Sequence, residues 1–138
     1  MSKKAFISFG ALVLVLAALI PWLAFRADGD APEGAEVPAS LQQAKSLFAT
    51  NCGNCHTLYA AGTDGNFGPD LDELLAPTGP PQGPDAEQTI EATEGRVLNA
   101  IEEGADGSTT PGRMPGGIII GEQAEEVAEF VARYAGEG

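Results

Sequence analysis

The stretch NCGNCHTLYA, residues 51–60, holds both cysteines and the single histidine of a 138-residue chain. Three side chains able to bind a soft metal therefore fall within five positions: Cys52, Cys55 and His56. A structural zinc site needs four such ligands, and no second pair exists in the chain. A thioredoxin-like redox pair expects a βαβ setting, and the surrounding pattern has no strand alternation to supply it. A disulfide between residues three apart would close a loop too small to stabilise much, and would give His56 no role.

C-x-x-C-H is the attachment signature of c-type haem. Two thiols at this spacing at a helix end can each bond one vinyl group of the macrocycle. The adjacent imidazole then lies under the iron as the proximal ligand, which gives Cys52, Cys55 and His56 one shared purpose. The inventory for a sixth ligand is short. There is no second histidine, and methionine occurs only as Met1 and Met114. Met1 precedes a long apolar segment, whereas Met114 sits in a Gly- and Pro-rich loop between two helices, from which a side chain can be aimed at a buried iron. Two alternatives stay open at this point: an iron with an open sixth position, and a methionine that only fills core space.

The chemistry of the remaining surface is acidic. The chain carries a net charge of −13. Residues 27–138 hold all 20 carboxylates and four cations, Lys45, Arg96, Arg113 and Arg133, for a net −16. Such a field repels nucleic acid and anionic headgroups, and a protein with a basic docking patch is its natural counterpart. The same charge also serves plain solubility.

The N-terminus reads differently. After Lys3 and Lys4 comes AFISFGALVLVLAALIPWLAF, residues 5–25, without a charge. As a helix it would span about 30 Å, the thickness of a bilayer core. Trp22 and Phe25 stand where an aromatic belt would lie. Lysines before the segment and carboxylates after it predict a cytoplasmic N-terminus and an exported remainder. A cleaved signal peptide is the rival, but its apolar region is usually shorter and ends in a small-x-small site. Residues 1–26 are thus expected to be a single-pass anchor, or an uncleaved signal segment, in the cell membrane. The acidic, Pro/Gly/Ala-rich stretch ADGDAPEGAEVPAS, residues 27–40, is expected to be a linker, and residues 41–138 a folded domain on the periplasmic or outer face.

That domain is expected to be all-α. Ser40 with Gln43 offers a capping box for a helix leading into the cysteines, with Leu41, Ala44, Leu47 and Phe48 on one face. Asp70 with Glu73 opens a short second helix, stopped by Pro77. APTGPPQGPDAEQTIEA, residues 76–92, is expected to be an irregular insertion. A third helix is expected over 94–103, ended by Gly104, and a last one over 122–135, with Val127, Phe130, Val131 and Tyr134 inward. Beyond the brief run Ile118–Ile120, no strand is expected.

From about Ser40 to Gly138 the chain resembles a class I c-type cytochrome, of a mono-haem, membrane-anchored bacterial type. The pieces that carry the resemblance are AKSLFATNCGNCH, GPDL at 68–71, RVLNAIEEG, GRMPGG and EEVAEFVARYA, in the family's order. The resemblance implies a small cytochrome c-like domain of about four helices around one covalent haem c, behind the transmembrane helix. It implies thioethers at Cys52 and Cys55, and iron ligation by His56 and Met114. It also implies that the carbonyl of Pro69 accepts a hydrogen bond from the other ring nitrogen of His56, which would fix the ring and raise its basicity. Ala44 and Phe48 would pack where the first helix crosses the last, near Phe130 or Tyr134. Two departures stand out. The lysine-rich rim of mitochondrial relatives is missing, and without a tryptophan in residues 27–138 the donors to the haem propionates reduce to candidates, Arg96, Arg113 and Tyr59.

The function expected from these readings is electron transfer without enzyme activity or a small-molecule substrate. A membrane-tethered carrier would pass single electrons between respiratory or photosynthetic complexes. Two alternatives belong to other classes: a fixed haem subunit of a larger oxidoreductase, and a haem sensor or enzyme with an open sixth site.

Overall fold

In the computed structural model, residues 12–20, 34–106 and 112–138 are described. The chain divides into two units, Met1–Ala31 and Pro32–Gly138. In the first unit, residues 12–20 form a helix, α1, whose nine residues are all apolar and all exposed. Among the described residues, no helix is long and apolar enough to cross a membrane. The rest of the expected span, residues 5–11 and 21–25, lies outside the described residues.

The second unit is mostly helical. A 3₁₀ turn at Ala39–Leu41 leads into α2, Gln42–Asn51. Next come α3, Leu71–Leu75, then α4, Ala86–Glu103, and α5, Glu122–Tyr134. Helix α5 is the centre of the core. Ala124, Val127, Ala128 and Val131 recur at helical spacing and are buried, with Phe130 and Ala132 beside them. The helix packs against both α4 and α2. The crossing with α2 is made by rings. Phe48 and Phe130 meet edge to face with centroids 6.3 Å apart, and Tyr134 stacks on Phe130 at 5.5 Å.

Several local expectations change. Ser40 does not cap α2, because the backbone is already turned by the 3₁₀ bond from Leu41 N to Pro38 O. Gln43 is drawn instead to Glu126 on α5, its Nε2 donating to Oε2 at 3.0 Å. Asp70 does cap α3, accepting from the backbone N–H of Asp72 and Glu73. Helix α4 starts eight residues earlier than expected, since Ile90 and Thr93 are buried in step with Ile101. The helix thus covers most of the second half of the expected insertion; only residues 76–85 are irregular. Strands occur as well, although each is only two residues long. Thr57–Leu58 (β1) pairs antiparallel with Thr63–Asp64 (β2), and Ala105–Asp106 (β3) with Arg113–Met114 (β4).

Residues 34–38, read from composition as linker, lie against the folded unit. Ala35 N donates to Ala60 O at 3.1 Å, Lys45 Nζ donates to Ala35 O at 2.8 Å, and Val37 is buried. Composition predicted a linker here; two hydrogen bonds to the Ala35 backbone and the burial of Val37 hold it on the folded unit instead.

Candidate haem site

The site begins where α2 ends. The backbone N–H of Cys52 donates to Phe48 O at 2.8 Å, and those of Cys55 and His56 both donate to Cys52 O, at 3.0 and 2.9 Å. The turn continues the helix by one loop and brings both thiols and the imidazole to one end of it. Cys52 is buried, Cys55 exposed and His56 8% exposed. Burial pushes the Cys52 thiol up to about 11, with the neighbouring Cys55 adding to it. A thiol held protonated in this way is a weak nucleophile at neutral pH.

The segment after β2 then closes over the histidine. His56 Nδ1 lies 2.9 Å from Pro69 O, a distance at which the ring N–H donates to the carbonyl. Gly68 N donates to Cys55 O at 2.7 Å, which pulls this segment onto the cysteine turn. The approach is so close that a Cβ at Gly68 would lie 2.6 Å from His56 Cε1 and 2.8 Å from Nδ1. Thr63 helps from below: its hydroxyl donates to His56 O at 3.0 Å and accepts from Leu58 N at 3.1 Å. The outcome is a ring clamped on one face and at Nδ1. Its other nitrogen, Nε2, has no hydrogen-bond partner among the described residues. A histidine that ligates a metal shows this pattern, one nitrogen tied to a carbonyl and the other left for the metal.

Met114 arrives on a different segment. It is half-buried, packs against the core, and pairs across the β3–β4 ladder with Ala105. That ladder hangs from the C-terminal end of α4. Gly104 adopts φ 80° and ψ 175°, a conformation open essentially to glycine alone, and lets the chain turn back beside β4. Gly117 N donates to Ile101 O at 2.7 Å, so the residues after Met114 are pinned to the same helix end. Among the described residues, no three His, Cys, Asp or Glu side chains group into a metal site. A His/Met-ligated iron needs no such group.

Of the sequence-predicted residues, the fold brings Cys52, Cys55, His56 and Pro69 together directly, and holds Met114 on a separate, glycine-anchored ladder. The candidate propionate donors are not gathered. Arg113 pairs with Asp106 at 3.3 Å, with both side chains largely exposed, and Arg96 and Tyr59 are exposed. Sequence reading missed the roles of Gly68, Thr63 and Asp72. The Gly-Pro dipeptide was the available signal for the first. Asp72 had none: its carboxylate accepts from Tyr59 N at 2.8 Å and from Gly136 N at 2.7 Å, joining three distant segments.

The family model for Cytochrome c matches residues 41–134. This chain therefore belongs to the cytochrome c family, and the match supports the class I c-type reading drawn from the order of its motifs. No curated protein matches it. The family implies covalent haem c carried by two cysteines, and Cys52 and Cys55 are present to take it. The donor set fits: two thiols and a fixed imidazole on one helix end, with nothing competing for Nε2.

Proposed function

We propose that this protein is a membrane-tethered, mono-haem electron carrier in which His56 and Met114 are the axial ligands. The observation that carries the reading is the clamped His56, with Nδ1 committed to Pro69 O and Nε2 unclaimed beside both cysteines. Haem c supplies an iron that takes up and releases one electron at a time. The protein residues do the rest. Cys52 and Cys55 hold the macrocycle. Pro69 fixes the imidazole and raises its basicity. Met114, the single methionine after residue 26, supplies the thioether that raises the potential. With His56 and Met114 both holding the iron, no position on it would remain for a substrate, which favours electron transfer over catalysis.

The tether and the partner belong to the same proposal. An apolar 5–25 segment, of which residues 12–20 form an exposed apolar helix, supports anchoring through a bilayer with the N-terminus cytoplasmic and the haem domain on the periplasmic or outer face. Since residues 34–38 belong to the folded unit, the join is no longer than residues 27–33, about 25 Å even when fully extended. A complex in the same membrane would then meet the domain at up to ~mM effective concentration. The acidic surface supports a redox partner with a basic patch in a respiratory or photosynthetic chain.

Two measurements test the reading. Haem should stay with the polypeptide in a denaturing gel stained for peroxidase activity, and replacing Cys52 and Cys55 by Ser should abolish the stain. Met114→Ala should keep the haem, lose the far-red methionine–sulfur band, lower the potential and admit cyanide or carbon monoxide. An unchanged spectrum and potential in that variant would remove Met114 from the iron.

A further inference from the structure

Between the two segments that carry the proposed ligands lies a contact the electron-transfer reading does not use. Phe67 stands immediately before Gly68–Pro69, the pair that clamps His56. Phe67 is 53% exposed, high for a large apolar residue with so much core available. The ring nevertheless has a partner. A Cβ built at Gly112 would lie 2.5 Å from Phe67 Cε1 and 2.6 Å from Cζ, so the ring edge rests directly on the Gly112 backbone. Gly112 is two residues before Met114 and adjoins β4. A side chain at Gly112 would strike the ring and force it off the Gly112 backbone.

We infer that Phe67 is a positioning residue for Met114, a latch that holds the methionine segment against the histidine segment through Gly112. The inference rests on Met114 being the axial ligand. Its physical content is simple. β4 is otherwise held by a two-residue ladder and by Gly117, both anchored on the end of α4. Two ladder residues give little resistance to local opening. The ring supplies a further contact, from the segment whose position is fixed by Cys55 O and His56. Losing it leaves the methionine segment held by the end of α4 and by the packing of Met114 itself, and so easier to lift without unfolding the core.

The test uses the haem-loaded protein in the ferric state, with cyanide as the probe for departure of Met114. Phe67→Ala should speed cyanide entry about tenfold, the scale on which loss of one aromatic contact shifts a local opening equilibrium. Its resting spectrum and global unfolding midpoint should stay near those of the parent, because Phe67 is half exposed. Phe67→Tyr, which keeps the ring, should restore the parent rate. Gly112→Ala should also speed entry, by wedging the segment off the ring. In the double variant Phe67→Ala with Gly112→Ala, the wedge has nothing to strike, so the second substitution should add almost nothing to the first. Met114→Ala serves as reference. If it loses the methionine band while Phe67→Ala enters cyanide at the parent rate, or while the two substitutions simply multiply, the latch is overturned and the ligand reading stands. If Met114→Ala matches the parent spectrum, the ligand reading falls and takes the latch with it.

Discussion

Gly68→Ala isolates the clamp on His56. Gly68 has no positive φ, so alanine is allowed by the backbone and the effect must come from what its methyl group meets. That methyl would sit 2.6 Å from His56 Cε1, 2.8 Å from Nδ1 and 3.1 Å from Nε2. Ordinary contact begins near 3.4 Å, so the ring or the 65–69 segment must retreat by about 0.8 Å. Neither is free to do so. The ring is tied to Pro69 O at 2.9 Å, and the segment to Cys55 O at 2.7 Å. Overpacking of this kind costs about 1–3 kcal/mol. A broken His56–Pro69 bond adds roughly 1 kcal/mol more. Gly95→Ala is the matched control. It makes the same chemical change in the interior of α4, where a Cβ meets nothing within 4 Å. Helix propensity predicts a gain of about 1 kcal/mol there. Denaturant unfolding of the haem-loaded variants, followed by circular dichroism, should thus move the two proteins in opposite directions from the parent. The potential should also change in Gly68→Ala and stay fixed in Gly95→Ala. If both variants gain stability alike, the closeness of Gly68 to the imidazole plays no part in holding it.

Other perturbations probe the frame and the tether. Phe130→Ala removes a fully buried ring that meets both Phe48 and Tyr134, and should cost about 3–5 kcal/mol in denaturant unfolding, enough to threaten a domain of ordinary stability. Asp72→Ala leaves the N–H groups of Tyr59 and Gly136 without their acceptor and should cost about 1–3 kcal/mol, with faster amide exchange at those two residues as the local signature. Deleting residues 1–26 behind a cleavable export signal should give a soluble, fully haem-loaded domain with unchanged potential. Its electron delivery to isolated membranes should become dependent on concentration and weaken as salt rises, because attraction between opposite charges is screened. Delivery equal to that of the full-length protein at nanomolar addition, without a salt effect, would show that neither residues 1–26 nor acidity matters.

The sequence alone pointed to haem attachment at the site. C-x-x-C-H is a local pattern whose spacing sets thiols and imidazole on one turn regardless of the rest of the chain, and the inventory of ligands left Met114 as the sixth candidate. It also determined the inward face of α5, because Val127, Phe130 and Val131 repeat at helical spacing. What composition could not reach was everything decided by contacts between distant residues. The first eight residues of α4 look irregular beside their prolines, and become helix because Ile90 and Thr93 find a buried face. Gln43 leaves its expected cap for Glu126, 83 residues away. The stretch 34–38 reads as linker until the Ala60 carbonyl and the Lys45 ammonium take hold of it. The short ladders are beyond any periodicity, since two residues have no period. Phe67, Gly68 and Gly112 belong with these. A glycine shows in sequence that a side chain is missing, and only the folded chain shows which ring fills the space.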